Sequence, residues 1–278
     1  MRRGAFLALL LALALVAAAA CQPQALPTTE LEVHFVDVGQ GDGILVRMPG
    51  GGDLVIDGGR RSSGFADYLA RQGVRSLAIV VATNPDADHI GGLVGVLNTL
   101  KVEEVWLSGQ PHTTQTYEDF VDAIARSGAK ASAVRRGQER TLGEARLTVL
   151  HPLEPFFSGR NNNSVVVRLD YGGVSFLFMG DAERAAEESM LGAGLPLQAT
   201  VLKMGHHGSR TSSTPSFVEA VKPQYAVYQA GRGNPYGHPH PEAVESVRAA
   251  GSTVLGTDVN GTIVMYSDGR TIRVRTER

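Results

Sequence analysis

Cysteine is almost missing from this chain: there is one, Cys21, in 278 residues. A single thiol forms no disulfide within one chain, so covalent stapling is excluded and a hydrophobic core has to hold the fold together. A strong charge of either sign is missing too. Lys and Arg number 26 against 28 Asp and Glu, a formal charge of −2. That balance excludes a protein that coats nucleic acid by bulk positive charge. A nucleic-acid substrate would have to be held locally, and Arg60, Arg61, Lys203 and Arg210 stand nearest the motifs described below. No short-period repeat is present, which argues against a solenoid or propeller. The apolar run from Ala5 to Ala20 falls short of the roughly 18–20 residues that cross a bilayer, and no second one approaches that length.

What is there begins with that run. Arg2 and Arg3 precede it, small residues end it, and Cys21 follows Ala18-Ala19-Ala20. Basic start, apolar middle and small residues before a cut site mark residues 1–20 as an export signal. The segment resembles the lipobox of bacterial lipoproteins. That implies an acylated Cys21 as the new N-terminus, and so an exported, extracytoplasmic chain held to a bacterial membrane by lipid. Loss of Arg2 and Arg3 with the signal takes Lys plus Arg from 26 to 24 against 28 acidic residues, a charge near −4. Residues 21–30, polar and proline-bearing, read as a tether. Residues 31–278 are enough for one large domain with a sizeable core.

Within that domain short apolar runs alternate with amphipathic stretches. LEVHFVDV (31–38), GILVRM (43–48), DLVIDGG (53–59), LAIVVAT (77–83) and EEVWLS (103–108) read as strands, as do ARLTVLHP (145–152), ATVLKMG (199–205), PQYAVYQAG (223–231), STVLGTD (252–258), GTIVMYS (261–267) and TIRVRT (271–276). Residues 164–181 hold two more, joined by the hairpin signal Tyr171-Gly172-Gly173. Helical spacing appears over 64–73, 90–100, 117–128, 182–194 and 241–251. The pattern suits an α/β (α+β) domain of two mixed sheets packed together with helices outside.

Chemistry gathers where strands end. After LAIVVAT comes TNPDADHIGG, with Asp86, Asp88 and His89 inside four residues. Carboxylates and imidazole suit Zn, Mn or Fe, ions that make a nucleophile of water near neutral pH. FLFMGDAE (176–183) ends a strand on Gly180 and presents Asp181, a bridging ligand or a helix cap. VLKMGHHGSRTSS (201–213) ends another in His206-His207-Gly208-Ser209, and NNNS (161–164) leads polar groups, Asn163 and Ser164 among them, into a strand.

DVGQGD (37–42), LVIDGG (54–59), DADHIGG, the NNNS strand, MGD, KMGHHGS and YGHP (236–239) follow one another in this order. That ordered set resembles the metallo-β-lactamase fold and, within it, the soluble hydrolase domain of the ComEC competence-protein family, over nearly the whole chain from about residue 31. The large channel-forming membrane part of that family has no counterpart in the apolar pattern here. The resemblance implies an αββα sandwich with its site along one edge of the sheets. It implies that Asp88, His89 and His206 hold one metal, that Asp181 bridges, and that Asn84 and Asp86 form a second pocket. The family's loop is His-x-Asp-x-Asp-His; here Asn84 replaces the first histidine and is a poor ligand. One ion, or a second bound only with substrate, follows, with Zn²⁺ or Mn²⁺ as the metal.

In that reading Asp88 also orients the attacking water or accepts its proton. His238, which matches the family's Gly-His-Pro, contacts the substrate phosphate or donates a proton. Asp42, Asn163, Ser164, His207 and Ser209 position substrate or support ligands from behind. His34 reads as a surface or packing residue and His151 as a structural one, while His112 and His240 carry no evident role. The implied activity is a metal-dependent phosphodiesterase, a nuclease on DNA tied to DNA uptake or extracellular DNA processing, with a separate channel protein as partner. Two alternatives stay open: an envelope hydrolase of a small ester, lactam or cyclic phosphodiester, and a catalytically dead lipoprotein that binds DNA or protein.

Overall fold

The computed structural model describes residues 28–278. The expected export signal over 1–20, Cys21 and all but the last residues of the tether lie outside the described residues. Six strands come first: β1 (Leu31–Phe35), β2 (Gly43–Arg47), β3 (Leu54–Gly58), β4 (Ser76–Ala82), β5 (Lys101–Leu107) and β6 (Lys130–Ala133). Seven more follow: β7 (Glu139–Leu142), β8 (Ala145–His151), β9 (Val166–Tyr171), β10 (Val174–Phe178), β11 (Val201–Lys203), β12 (Tyr225–Tyr228) and β13 (Thr253–Gly256). The last two, β14 (Ile263–Ser267) and β15 (Ile272–Thr276), return to the first group. One sheet runs β15-β14-β1-β2-β3-β4-β5-β6 and the other β13-β12-β11-β10-β9-β8-β7. Both are mixed: β3-β4-β5-β6 and β10-β11-β12-β13 pair in parallel, the remainder antiparallel.

The helices are α1 (Phe65–Arg71), α2 (Ala87–Ile90), α3 (Leu93–Thr99), α4 (Gln115–Ser127), α5 (Arg184–Gly192), α6 (Pro215–Val221), α7 (Pro241–Ala249) and α8 (Thr257–Asn260). Apolar packing divides into layers. Phe35, Ile56, Trp106, Phe176 and Phe178 lie between the sheets. Phe65, Leu69, Leu93 and Phe120 sit between the first sheet and α1, α3 and α4. Met190, Phe217 and Val247 sit between the second sheet and α5, α6 and α7. This is an αββα sandwich. Strand burial follows from it: β10 is buried along its whole length, because helices cover one face and a sheet the other, while β15 at the edge alternates between partly covered and exposed.

The differences from expectation have local causes. The helix expected over 90–100 is two, since α2 ends at Ile90 and α3 starts at Leu93 after Gly91 and Gly92. β6 and β7 escaped notice because KASA and ERTL are short and mostly exposed, with no apolar alternation to read. α6 likewise has only seven residues. Among the described residues no helix is long and apolar enough to cross a membrane.

Candidate metal centre

The polar motifs converge where parallel strands deliver their C-terminal ends, the usual place for a site in a sheet of this kind. β3 carries Asp57 next to its last residue, β4 leads to Thr83–His89, β10 to Asp181, β11 to His206 and His207, and β12 to the loop that carries His238. Glycine allows the close packing. Gly41 has φ +134, and a Cβ there would collide with the Asp88 carbonyl; a Cβ at Gly92 would collide with the Gly58 carbonyl. The loop before Asp42 and the end of β3 therefore press directly on the α2 segment, and Asp42 N donates to Asp88 O at 3.2 Å.

Two imidazoles face one carboxylate. His89 Nε2 lies 3.0 Å from Asp181 Oδ2, and His207 Nε2 lies 3.4 Å from Asp181 Oδ1 and 3.6 Å from Asp88 Oδ2. Behind each imidazole stands a second buried carboxylate. His89 Nδ1 donates to Asp57 Oδ2 at 2.8 Å, and Asp57 also accepts from the Thr83 amide and hydroxyl at 2.8 and 2.6 Å. His207 Nδ1 is shared by Asp42 Oδ1 and the Gln229 carbonyl, each at 3.1 Å. Lys203 Nζ closes that chain by donating to Asp42 Oδ2 at 2.6 Å and to the Met204 carbonyl at 2.9 Å. A carboxylate on Nδ1 fixes the tautomer that leaves Nε2 free as a ligand and raises its basicity.

The backbone accepts strain to make this arrangement. His206, His207 and Gly208 are all left-handed, at φ 46, 57 and 82, and Asp57 sits at φ 57. For residues with a Cβ such conformations cost on the order of 1–3 kcal/mol each. They aim the two adjacent histidines apart. His207 turns inward, while His206 Nδ1 meets Glu183 Oε1 at 3.1 Å; the two ring centroids are 5.7 Å apart.

The electrostatics favour a cation. Burial alone would push the Asp181 carboxyl up, but His89 and His207 outweigh it and hold it well below the usual carboxylate range. Burial would likewise depress His89, yet Asp181 and Asp57 on its two sides raise it well above an ordinary histidine. Asp42 is driven up by burial and, more strongly, down by Lys203 and His207. Burial raises Asp57. Asp181 Oδ1 is buried and accepts no hydrogen bond. Donor atoms of Asp88, His89 and His207 lie within 4.8 Å of one another, as do those of Asp42, Asp181 and His207. Two carboxylates, two imidazoles and an orphaned carboxylate oxygen fit a divalent metal ion.

Of the residues expected as ligands, the structure brings Asp88, His89 and Asp181 together. It does not bring Asp86 or His206 into that group. Asp86 Oδ1 accepts from Arg160 Nε at 3.1 Å and lies 3.3 Å from His112 Nε2. His206 pairs with Glu183, and the inward position belongs to His207, one residue on. Asn84 is buried; its Oδ1 accepts from the Asp86 amide and its Nδ2 has no partner. Asp181 is not a helix cap, since α5 is capped at Glu183. His238 flanks the centre, its ring 5.2 Å from His206 and 5.9 Å from His207. Burial and the neighbouring histidines push it down to about 4, so it is neutral at physiological pH.

The expected supporting residues divide. Asp42 supports His207 from behind. Asn163 is spent on its own loop, bonded to Phe157 and Gly159. Ser164 Oγ is buried without a partner. Ser209 is buried; its amide donates to the His206 carbonyl and its hydroxyl oxygen accepts from Thr211. Lys203, expected as a surface contact for nucleic acid, is 1% exposed and paired to Asp42, which removes it from that role. Asp57, Thr83, Gln229 and Glu183 went unassigned from sequence. Asp57 had a signal, a carboxylate followed by Gly58-Gly59 at a strand end.

Comparison with known proteins identifies the superfamily. The Metallo-beta-lactamase superfamily model matches residues 36–232. ComE operon protein 3 of Bacillus subtilis (strain 168) is 30% identical over 255 residues, covering 85% of this chain and 33% of its own length. Competence protein ComA of Neisseria gonorrhoeae is 35% identical over 246 residues, covering 87% of this chain and 33% of its own. The chain thus spans about a third of the length of these curated relatives. The solved metallo-beta-lactamase fold protein YhfI from Bacillus subtilis superposes with a TM-score of 0.54 at 12% identity, covering 82% of this chain and 96% of its own, a likeness of fold. With the αββα layers, the strand-end ligand set and this match over most of its length, the chain belongs to the metallo-beta-lactamase superfamily, and its relatives are competence proteins of the ComEC type.

Proposed function

We propose that this protein is a metal-dependent phosphodiesterase that cuts DNA. The observation that carries the reading is Asp181, buried between the Nε2 atoms of two imidazoles that are each backed by a buried carboxylate. A divalent ion, Zn²⁺ or Mn²⁺, held by Asp88, His89, His207 and Asp181 would lower the pKa of a water and polarise a phosphoryl oxygen. This set takes His207 in place of the expected His206.

The chain's own groups do the rest. Asp57 and Asp42 keep His89 and His207 in the tautomer that offers Nε2. The Asp88 side chain, 19% exposed, is the most accessible carboxylate of the set and takes a proton from the attacking water. His238 is neutral and donates a hydrogen bond to a phosphoryl oxygen or to the leaving oxygen. His206, held by Glu183, stands at the same rim. Lys203 does not touch substrate; it fixes Asp42.

DNA as substrate is supported by the relatives, which are named competence proteins and a recombination protein. An export signal over 1–20 and lipid on Cys21 would put the site outside the cytoplasm beside a membrane, where a separate channel protein would take up what it releases. Asn84 and the engaged Asp86 favour a second reading, a binding-only protein. A cleavage assay separates the two: labelled single- and double-stranded DNA with EDTA, Zn²⁺ or Mn²⁺, and Asp88→Ala/His89→Ala as control. Metal-dependent cutting that the control lacks is the expected result. No cutting, from folded protein with metal bound, overturns the phosphodiesterase on DNA; no cutting and no bound metal leaves the binding-only protein.

A further inference from the structure

Beside His238 the rim carries an aromatic ring with no part in holding a cation. Tyr236 is 53% exposed. Few large apolar side chains are exposed among the described residues, and the other aromatic ring in that state, Phe156, has the Arg135 guanidinium over it at 5.0 Å. Tyr236 lies nearly parallel to His238, centroids 5.8 Å apart at 23°. His238 in turn lies 5.9 Å from His207. The exposed ring is therefore one ring removed from the proposed ligand histidine.

Its position is built rather than incidental. Asn234 Oδ1 accepts from the amides of both Tyr236 and His238 at 3.1 Å, and its Nδ2 donates to the carbonyls of Gly231 and His238 at 2.9 and 2.6 Å. One asparagine thus ties together the turn that presents both rings. The loop is fixed to the opposite rim as well, because Gly231 N donates to Gln40 Oε1 at 3.2 Å. Across the site the exposed Arg60 donates from Nη2 to the Tyr236 hydroxyl at 3.4 Å. Arg60 follows β3 and its backbone packs against Gly91 just after α2, so a guanidinium from the metal-loop side meets the tyrosine from the His238 side.

A fixed, exposed aromatic face with a guanidinium at its edge is what binds a nucleobase and its adjoining phosphate. Every base has a π face, and stacking tolerates sequence. Bases inside a duplex are already stacked on each other and offer no free face, whereas those of a single strand do. We propose that Tyr236 is a stacking platform for a base of single-stranded DNA and that Arg60 takes the neighbouring phosphate, so that the strand enters the centre past His238. This rests on the phosphodiesterase reading and narrows it to single strands.

The test uses fluorescence anisotropy in EDTA, with a labelled oligo-dT strand and an abasic strand of the same length as probes. Tyr236→Ala should weaken oligo-dT binding roughly tenfold, in line with a stacked base, and leave the abasic strand unchanged. Tyr236→Trp should bind oligo-dT at least as tightly as wild type. Arg60→Ala should weaken both strands and flatten the salt dependence. Equal loss on both strands with Tyr236→Ala, or no loss on oligo-dT, overturns the platform. Failure here is separable from failure of the enzyme reading. Cleavage that Asp88→Ala stops, with no stacking contrast, leaves the phosphodiesterase and removes the platform; a stacking contrast without cleavage under any metal does the reverse.

Discussion

The loop between β4 and α2 has two sides, and they have been finished differently. On one side Asp88 and His89 meet Asp181 and His207, and every imidazole there has a carboxylate behind it. On the other side Asn84 stands where the family's loop has histidine, and Asp86 is occupied by Arg160 and His112. The first side keeps an unsatisfied carboxylate oxygen, a local deficit that a cation would fill. In the second the acidic group is answered by a guanidinium of the chain itself. A ligand set therefore consists of more than residues of the right type: what stands behind each one decides whether its lone pair is free.

The largest expected effect comes from breaking the first pocket at its centre. Asp181→Asn removes the charge that both imidazoles face and should take metal retention and DNA cleavage to background, checked by elemental analysis of the purified protein and by turnover. Retained metal would mean that Asp181 does not ligate. Next comes the support behind His207. Asp42→Asn leaves Lys203 as a buried, unpaired charge, an arrangement that costs about 3–5 kcal/mol. A urea melt should show that loss, and Asp42→Asn/Lys203→Met should recover most of it while metal affinity stays down about 10–100-fold. Recovery of both together would make the Lys203–Asp42–His207 chain purely structural.

A smaller effect probes the turn that supplies Arg160. His151 is fully buried, its Nε2 donates to the Asn162 carbonyl at 2.7 Å, and its Nδ1 has no partner. Burial, partly offset by that hydrogen bond, pushes it down to about 4. The unfolded chain, with an ordinary histidine near 6.5, takes up the proton first as pH falls. Stability from neutral His151 is therefore complete above about 6.5 and is lost towards 4, roughly 2 kcal/mol between pH 7 and 5. Chemical denaturation at those two pH values, with His151→Gln as reference, reads the difference. An equal slope in the variant removes His151 as its source.

How much of this could be read from the chain alone depends on what sets each side chain's direction. Asp88, His89 and Asp181 were legible because each follows an apolar strand, and the strand end fixes where they emerge. The layered sandwich was legible from alternating runs. The choice between His206 and His207 was not. Both sit in left-handed conformations, where neither the two-residue period of a strand nor the 3.6-residue period of a helix says which side chain turns inward. The fate of Asp86 was hidden for a different reason, since its partner Arg160 is 74 residues away and reaches it only through the turn that His151 and Asn163 hold. Lys203 looked like a surface cation because lysine usually is one; its burial follows from Asp42, 161 residues away.

The smallest expected effect sharpens the comparison most directly. If Arg160 is what closes the second pocket, restoring the histidine is not enough to open it. Asn84→His alone should leave the metal content at one ion per chain and change turnover by no more than a few fold. Asn84→His/Arg160→Gln frees Asp86 and gives it an imidazole neighbour, so a second, weaker ion should appear on titration with Mn²⁺, followed by electron paramagnetic resonance. A second ion with Asn84→His alone would show that the asparagine by itself had closed the pocket and that Arg160 only lies over it. No second ion in either variant would place the obstacle in the third ligand. His112 Nε2, 3.3 Å from Asp86 Oδ1, is the nearest imidazole that could supply it.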